Sequence, residues 1–393
     1  MEKTLRVAVA GGPRGSTFVP TFRALGNTEV VALCDRDPAT LARTADEAGV
    51  GQRYTEYEPM LDRERPDVVV VATPMPLHVP QAVAALERGI HVLSEVPAAT
   101  DLEQCFRLVQ AVRSSRASYM MAENYCYTRE CALVRALCAA GLFGETYYGE
   151  GAYVHELKEL HEATPWRRFW QVGLDGNTYP THSLGPLLQW MRTRVVSVSC
   201  LGSGHHYRDS RGEPYAGQDS TTTLCRLANG GMLTLRLDLL SERPSNGTHY
   251  ALQGTRGAYL SGRHDGDEPL VWLAGRSPDK EAWQTLWDYE ELLPDEWQKP
   301  SPEAEGAGHG GGDYFQVRDF VDCVREGRRP PIDVHDALDF TLPGLVSRES
   351  LRRGGVPVAV PDFRAVGRFP EDLPPELQQS TILRVAPPPA PRA

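Results

Sequence analysis

The run Leu5-Arg6-Val7-Ala8-Val9-Ala10-Gly11-Gly12-Pro13-Arg14-Gly15-Ser16 decides the fold. An apolar strand that breaks on glycines and continues into a helix-like stretch, here to about Leu25, opens a strand–turn–helix unit. The same rhythm repeats outward from it. A second apolar run, Val30-Val31-Ala32-Leu33-Cys34, ends at Asp35, and Pro38 to Ala48 reads as a helix opened by proline. A third run, Asp67 to Ala72, ends in Thr73-Pro74, and a helix from about Pro80 to Arg88 leads into Gly89-Ile90-His91-Val92-Leu93-Ser94-Glu95. A helix over roughly 101–115 precedes Tyr119-Met120-Met121-Ala122-Glu123. Runs that are apolar throughout, alternating with helices, indicate a parallel sheet buried on both faces. Residues 1–122 are expected to form a doubly wound α/β domain.

From about residue 128 the pattern changes. A helix at 129–140 ends at Gly141, and strand-like stretches follow at 146–154, 195–201, 220–227, 231–240, 248–253 and 257–261. Strands separated by turn residues predict an α+β domain with a mostly antiparallel sheet over 123–363. The stretch 300–312 reads as a loop, with helices after it at about 313–326 and 334–352. The segment 364–393, with four prolines in its last eight residues, is expected to be an extended tail.

Composition narrows the function classes. The 393 residues carry 41 Lys+Arg against 52 Asp+Glu, a net charge of -11, which argues against a nucleic-acid or anionic-membrane partner. No apolar run approaches the ~20 residues needed to cross a bilayer. The strand starting at Leu5 leaves no room for a signal peptide. The eight cysteines show no Cys-x-x-Cys pair, and His205-His206 and His155/His161 lack ligand partners at metal spacing, so no metal is expected. The default is a soluble cytoplasmic protein.

The glycine turn is the strongest chemical signal of the first domain. Glycines let a backbone approach a pyrophosphate, and the helix N-terminus behind them supplies N–H groups and positive potential. Here Ala10 replaces the first glycine of Gly-x-Gly-x-x-Gly. Asp35, 20 residues past Gly15 at the end of the second strand, is placed to bond a ribose 2′-hydroxyl and to repel a 2′-phosphate. NAD is expected over NADP, with Arg36 tempering the preference.

This turn, together with Thr73-Pro74-Met75-Pro76-Leu77-His78 and Gly89 to Pro97, resembles the Gfo/Idh/MocA oxidoreductases. That resemblance implies an N-terminal Rossmann domain and a C-terminal open-faced β-sheet domain that carries the substrate. Members of that family commonly associate through those sheet faces, so a homo-oligomer is expected. The usual Glu-Lys-Pro reads Glu95-Val96-Pro97 here, and valine does no acid–base work. In this the chain is similar to glycoside hydrolase family 109, the NAD-dependent α-N-acetylgalactosaminidases. The similarity continues through Ala122-Glu123-Asn124-Tyr125, Gly149 to His155, Trp166-Arg167, Gly176 to Pro186, Gly308-His309-Gly310-Gly311, Asp333 to Ala337 and Val358 to Phe363.

The resemblance implies roles at matching positions. Pro13, Arg14 and Asp35 would contact the adenosine and pyrophosphate of NAD. Met75, His78, Glu95, Val96 and Asn124 would line the dinucleotide further along. Tyr153, Arg167, Tyr179 and His182 would surround a sugar, with Glu123 close to the reacting ring. The implied reaction is a glycosidase's, on a glycoside such as an N-acetylhexosaminide: transient C3 oxidation, C1–C2 elimination, water addition and re-reduction. His182 is the candidate for the C3-hydroxyl proton and Tyr179 for the C2 proton, or the reverse. Tyrosine, with a pKa near ~10, needs a cationic neighbour to act as a base, and Arg167 could supply it or simply hold a sugar hydroxyl or acetamido oxygen. Glu123 would orient His182 or assist the leaving group. His309 is either a lid element or an exposed turn. The alternative is a dehydrogenase acting on a sugar, cyclitol or glycoside and releasing NADH. Two departures fall on the sugar side. The family's Arg-Pro-Tyr turn reads Arg243-Pro244-Ser245, and the connection from His155 to Trp166 is short.

Overall fold

The computed structural model describes residues 3–244, 247–264 and 266–385. The chain forms two compact units, Met1–Tyr127 with Pro300–Leu338 and Thr128–Lys299 with Asp339–Ala393. The first unit holds a six-stranded parallel sheet ordered β3-β2-β1-β4-β5-β6. Its strands are β1 (Leu5–Ala10), β2 (Thr28–Cys34), β3 (Gln52–Tyr54), β4 (Val68–Val71), β5 (His91–Ser94) and β6 (Tyr119–Met121). The four valines of β4 are all buried, as a central parallel strand covered on both faces requires. The polar β3 is an edge strand with no apolar signature, and the sequence reading missed it. Capping fixes where helices begin. Asp37 accepts from Thr40 N (2.7 Å) at the start of Pro38–Ala48, and Asp101 from Gln104 N (2.8 Å) at the start of Leu102–Ser114. The strand order reverses at β1 and β4, which opens a crevice at their C-terminal ends.

The second unit is a nine-stranded sheet ordered β14-β13-β12-β11-β7-β10-β9-β8-β15. It comprises β7 (Thr146–Val154), β8 (Val195–Gly202), β9 (Ser220–Leu227), β10 (Met232–Asp238), β11 (Gly247–Gly254), β12 (Gly257–Leu260), β13 (Leu270–Leu273), β14 (Gln284–Thr285) and β15 (Val358–Ala359). All pairings are antiparallel except β7 with β10. Alternate residues of β9 and β10 point into a core that the Thr181–Met191 helix covers. Among the described residues no helix is long and apolar enough to cross a membrane.

Three expectations change. Residues 300–338 belong with the first unit, not with a second domain running from 123 to 363. The Gly312–Glu326 helix lies so close to the Asn124–Tyr127 turn that a Cβ on Gly312 would stand 2.7 Å from Asn124 O, and Met121 N donates to Ile332 O (3.1 Å). The stretch 300–312 contains a short helix, Pro302–Glu305, capped by Ser301. The segment after 364 is not an extended tail as far as 385. It folds through turns and buries Val366, Leu373, Leu377 and Ile382, with Ser380 Oγ donating to Glu349 (2.8 Å). The proline-rich residues 386–393 lie outside the described residues.

Candidate functional site

In the first unit the glycine turn is shaped by close approach. Gly11 has φ +94°, and a Cβ there would lie 2.3 Å from Ala72 O on the segment leaving β4. A Cβ on Gly15 would lie 2.5 Å from Val9 Cγ1. These positions let the helical stretch from Gly12 start directly against β1 and β4. Asp35 sits beside the turn, accepting from Gly12 N (2.8 Å) and from Asp37 N (2.9 Å). Pro13 is exposed at the turn. A half-buried carboxylate at the end of β2 against a glycine turn suits an adenosine ribose, so this donor set fits a dinucleotide.

Further along, four residues form one charge network. Arg14 Nε donates to Glu95 Oε1 (2.6 Å), while Nη1 and Nη2 grip Asp313 Oδ2 (2.8 Å) and Oδ1 (3.0 Å). The guanidinium also lies 4.5 Å over the Phe18 ring. Asp313, only 2% exposed, additionally accepts from Gln316 Nε2 (3.0 Å) and Asn124 Nδ2 (3.4 Å), and its Oδ2 lies 3.2 Å from His309 Nδ1. Although burial opposes ionisation, the hydrogen bonds and charges of His309 and Arg14 hold this carboxyl far below the ordinary carboxylate range. Arg14 is thus committed to two carboxylates. The structure brings together Arg14, Glu95 and Asn124, and adds Asp313 and His309.

Sequence reading missed Asp313. Its one signal was an acidic residue just past the glycine run Gly310-Gly311-Gly312, where helix N-termini favour carboxylates. His309 itself has φ +56° and its ring packs edge-on against Tyr125 at 6.0 Å.

His78 is buried, its ring nitrogens 2.8 Å from Thr73 O and 2.9 Å from Pro97 O. It ties together the segments that follow β4 and β5. Met75 and Val96 are buried beside these segments. Asn124 Oδ1 is buried with no partner, the mark of a group that awaits a donor. Glu123 is fully buried at the end of β6, accepting from Tyr125 N (3.2 Å).

The second unit brings Tyr153, Tyr179 and His182 into one cluster. The Tyr153 ring lies 4.9 Å from that of His182 and 6.0 Å from that of Tyr179, and the latter two are 5.1 Å apart. Glycines on β7 make this possible. A Cβ on Gly151 would stand 2.1 Å from Ser183 O, and one on Gly149 would stand 3.1 Å from Leu187 Cδ2. The first turn of the Thr181–Met191 helix therefore sits directly on β7, and Tyr153, two residues on from Gly151 on the same strand face, meets His182. Tyr250 donates to His182 O (2.5 Å) and fixes that turn from β11.

The segment bearing Tyr179 is clamped by the Val334–Arg352 helix, where Ser347 Oγ accepts from Asn177 N (2.7 Å). Both side-chain polar atoms of Asn177, with Thr178 Oγ1 and Thr181 Oγ1, are buried without partners. Tyr153 Oη meets His155 Nδ1 (2.9 Å), a residue the sequence reading did not place in the site. Burial, then the His182 charge, lowers the proton affinity of His155. Arg167 lies on the short Trp166–Trp170 helix, donating to Gln171 Oε1 (3.0 Å) and stacked 4.6 Å over Trp166. Ser245, which marks a departure from the family pattern, lies outside the described residues.

Comparison with known proteins agrees with both units. The family model for the C-terminal domain of glycosyl hydrolase 109 matches residues 127–369, and that for the oxidoreductase family with an NAD-binding Rossmann fold matches 5–123. A glycosyl hydrolase family 109 protein of Streptomyces filamentosus is 34% identical, the match covering 92% of this chain and 78% of that protein. A Shewanella oneidensis protein named alpha-N-acetylgalactosaminidase is 30% identical, with 92% and 85% covered. Among solved structures, levoglucosan dehydrogenase in complex with NADH and levoglucosan shares the fold, with a TM-score of 0.78 at 23% identity over 91% of this chain and 99% of that one.

Proposed function

This chain belongs to the glycosyl hydrolase 109 family and is an NAD-dependent enzyme, and from that premise we propose that it cleaves a glycoside by transient oxidation at C3, elimination across C1–C2, addition of water and re-reduction. The chemistry that bound NAD supplies is reversible oxidation of a sugar hydroxyl, with no net consumption of oxidant over a turnover.

This chain's residues do the rest. Asp35 would accept from the ribose hydroxyls, and the Gly11–Gly15 turn with Pro13 would hold the pyrophosphate. Met75, His78, Glu95, Val96, Asn124 and Arg14 shape the remainder of the cofactor crevice. His182 takes the C3-hydroxyl proton. Once C3 is a ketone, the C2 proton is acidic enough for Tyr179 to remove it, and the aglycone leaves from C1. Tyr153 and Arg167 hold the sugar, and Glu123 is the remaining catalytic carboxylate. With Val96 in the place of a lysine, proton handling falls to the Tyr179/His182 pair.

The observation that carries this reading is that pair, its rings packed with Tyr153 and flanked by the unpartnered buried polar atoms of Asn177, Thr178 and Thr181. Those atoms suit a polyhydroxylated ligand. The α-N-acetylgalactosaminidase named in Shewanella oneidensis supports an N-acetylhexosaminide as the substrate. The eight free cysteines support a reducing, cytoplasmic setting.

The test is incubation of the protein and catalytic NAD with aryl glycosides in deuterated water. Aglycone release with deuterium at C2 of the sugar and no net NADH is the expected outcome. Net NADH with the glycosidic bond intact makes the protein a dehydrogenase and overturns the proposal.

A further inference from the structure

Four side chains converge on the buried carboxylate of Asp313. Arg14 comes from the turn after β1, Asn124 from the end of β6, Gln316 from the same helix and His309 from the loop before that helix. Through Nε, Arg14 also holds Glu95 at the end of β5. The sheet runs β1-β4-β5-β6 here, so the network joins segments that leave the first and the last of these four strands. They leave at the C-terminal ends, where a doubly wound sheet takes its dinucleotide.

His309 stands at the outer end of this chain of contacts. Asp313 is buried and Arg14 half-buried, while His309 is exposed. Its backbone has φ +56°, a left-handed conformation that costs a histidine free energy and costs glycine none. Glycine occupies 308, 310 and 311 on either side of it. The imidazole is what sets position 309 apart. Its Nδ1 meets Asp313 Oδ2 at 3.2 Å, and the ring packs edge-on against Tyr125. The backbone of this loop is loosely tied. Gly311 N reaches Ala307 O at 3.3 Å and Asp313 N reaches Gly308 O at 3.2 Å, both long bonds, and a Cβ on Gly310 would meet nothing within 4 Å. A glycine-rich loop fastened by one side chain is built to swing.

We propose that His309 is the catch of a clasp that retains NAD. With its ring on Asp313, the carboxylate keeps its grip on Arg14 and Asn124, and the crevice at the strand ends is closed. When the ring leaves, the 308–311 loop swings out, water reaches Asp313, the grip slackens and the crevice opens. His309 acts through Asp313, so it is a positioning residue. The inference rests on NAD binding and holds whether the protein cleaves a glycoside or oxidises it. A glycosidase that regenerates its NAD at every turnover has particular use for such retention.

The experiment is a chase. The full chain loaded with NADH is mixed with excess NAD, and the change in NADH fluorescence gives the release rate. Mixing the free protein with NADH at several concentrations gives the binding rate. In His309→Ala, and in His309→Gly, whose backbone is free of strain at this φ, release is expected to be about tenfold faster, the loss of one charge-assisted hydrogen bond. The binding rate does not fall. His309→Asn tolerates the left-handed backbone and offers a donor to Asp313, so it restores slow release in part.

Unchanged release in the alanine and glycine variants overturns the proposal, even where urea unfolding shows lost stability, because a merely structural histidine behaves that way. Slower binding with unchanged release overturns it too. Hydrogen exchange of the 308–312 amides in the unaltered protein keeps the test independent of how the variants fold. Exchange is expected to slow when the protein is saturated with NAD, and equal exchange with and without NAD sinks the clasp. Glycoside cleavage plays no part in these measurements, so failure of the clasp leaves the glycosidase reading standing.

Discussion

A carboxylate that grips a guanidinium with both oxygens, as Asp313 does Arg14, fixes two side chains at once. Replacing Asp313 by Asn leaves Arg14 with only Glu95, and an Asn124 amide facing another amide. The expected cost is about 3–5 kcal/mol at neutral pH, with weakened NAD binding, read by urea unfolding and by NAD titration. The sign with pH follows from the depressed folded-state pKa of this carboxyl. Its contribution is full above about 4, where the unfolded carboxyl is also ionised, and is lost as the pH falls below that. The gap between the two proteins should accordingly close in acid.

In the second unit, Tyr179→Phe and His182→Ala each remove one proton-transfer group, and turnover should fall by about 10²–10⁴ while NAD affinity holds. An unchanged rate in either variant removes that residue from the chemistry. Asp35→Ala should raise affinity for NADP relative to NAD, measured by titration of both.

At the scale of the element, β7 and the Thr181–Met191 helix form a single part whose spacing is set by glycine. A Cβ at 151 meets the Ser183 carbonyl, and the helix has to lift. Gly151→Ala should therefore destabilise by about 1–3 kcal/mol and lower turnover more than its distance from the chemistry suggests, because His182 rides on that helix. A Gly151→Ala variant with unaltered stability and rate would show that the helix yields without moving His182.

This contact also marks how far the sequence could be read. Most of the first unit was legible because its central parallel strands are apolar throughout and are separated by helical stretches, whereas the polar edge strand β3 and the uncapped Tyr57–Glu64 helix were not. The Tyr179/His182 pair was legible through its flanking residues. That Gly149 and Gly151 seat the helix, or that Asp313 closes on Arg14, was not. Those contacts join residues tens or hundreds of positions apart, and no local pattern carries them. Short strands such as β14 and β15, two residues each, offer too little alternation to recognise.

For the molecule as a whole, two imidazoles, the buried His161 and the half-buried His249, govern its behaviour in mild acid. Burial, then the charge of Arg167 for His161 and of Arg263 for His249, pushes both down to about 4, against an ordinary value of 6.5. Between those pH values the unfolded chain binds protons that the folded one refuses, so lowering the pH favours unfolding. The melting temperature should fall steadily from about pH 6.5 to about 4, and His161→Gln combined with His249→Gln should flatten the curve. A double variant as acid-sensitive as its parent would assign the effect elsewhere.

The division of the chain has a consequence for how the protein is made. The first unit takes its last piece, Pro300–Leu338, only after the strands β7 to β14 have been synthesised. At about 5–20 residues per second, a ribosome needs some tens of seconds to pass from Tyr127 to Leu338. For most of that interval, until residue 313 is made, Arg14, Glu95 and Asn124 exist without Asp313. The nascent first unit is an open sheet waiting for a helix, exposed to aggregation and in need of protection. A gene cut at residue 122 would encode that unfinished state permanently, whereas one that joins 1–127 to 300–338 through a short linker would encode the complete nucleotide-binding unit.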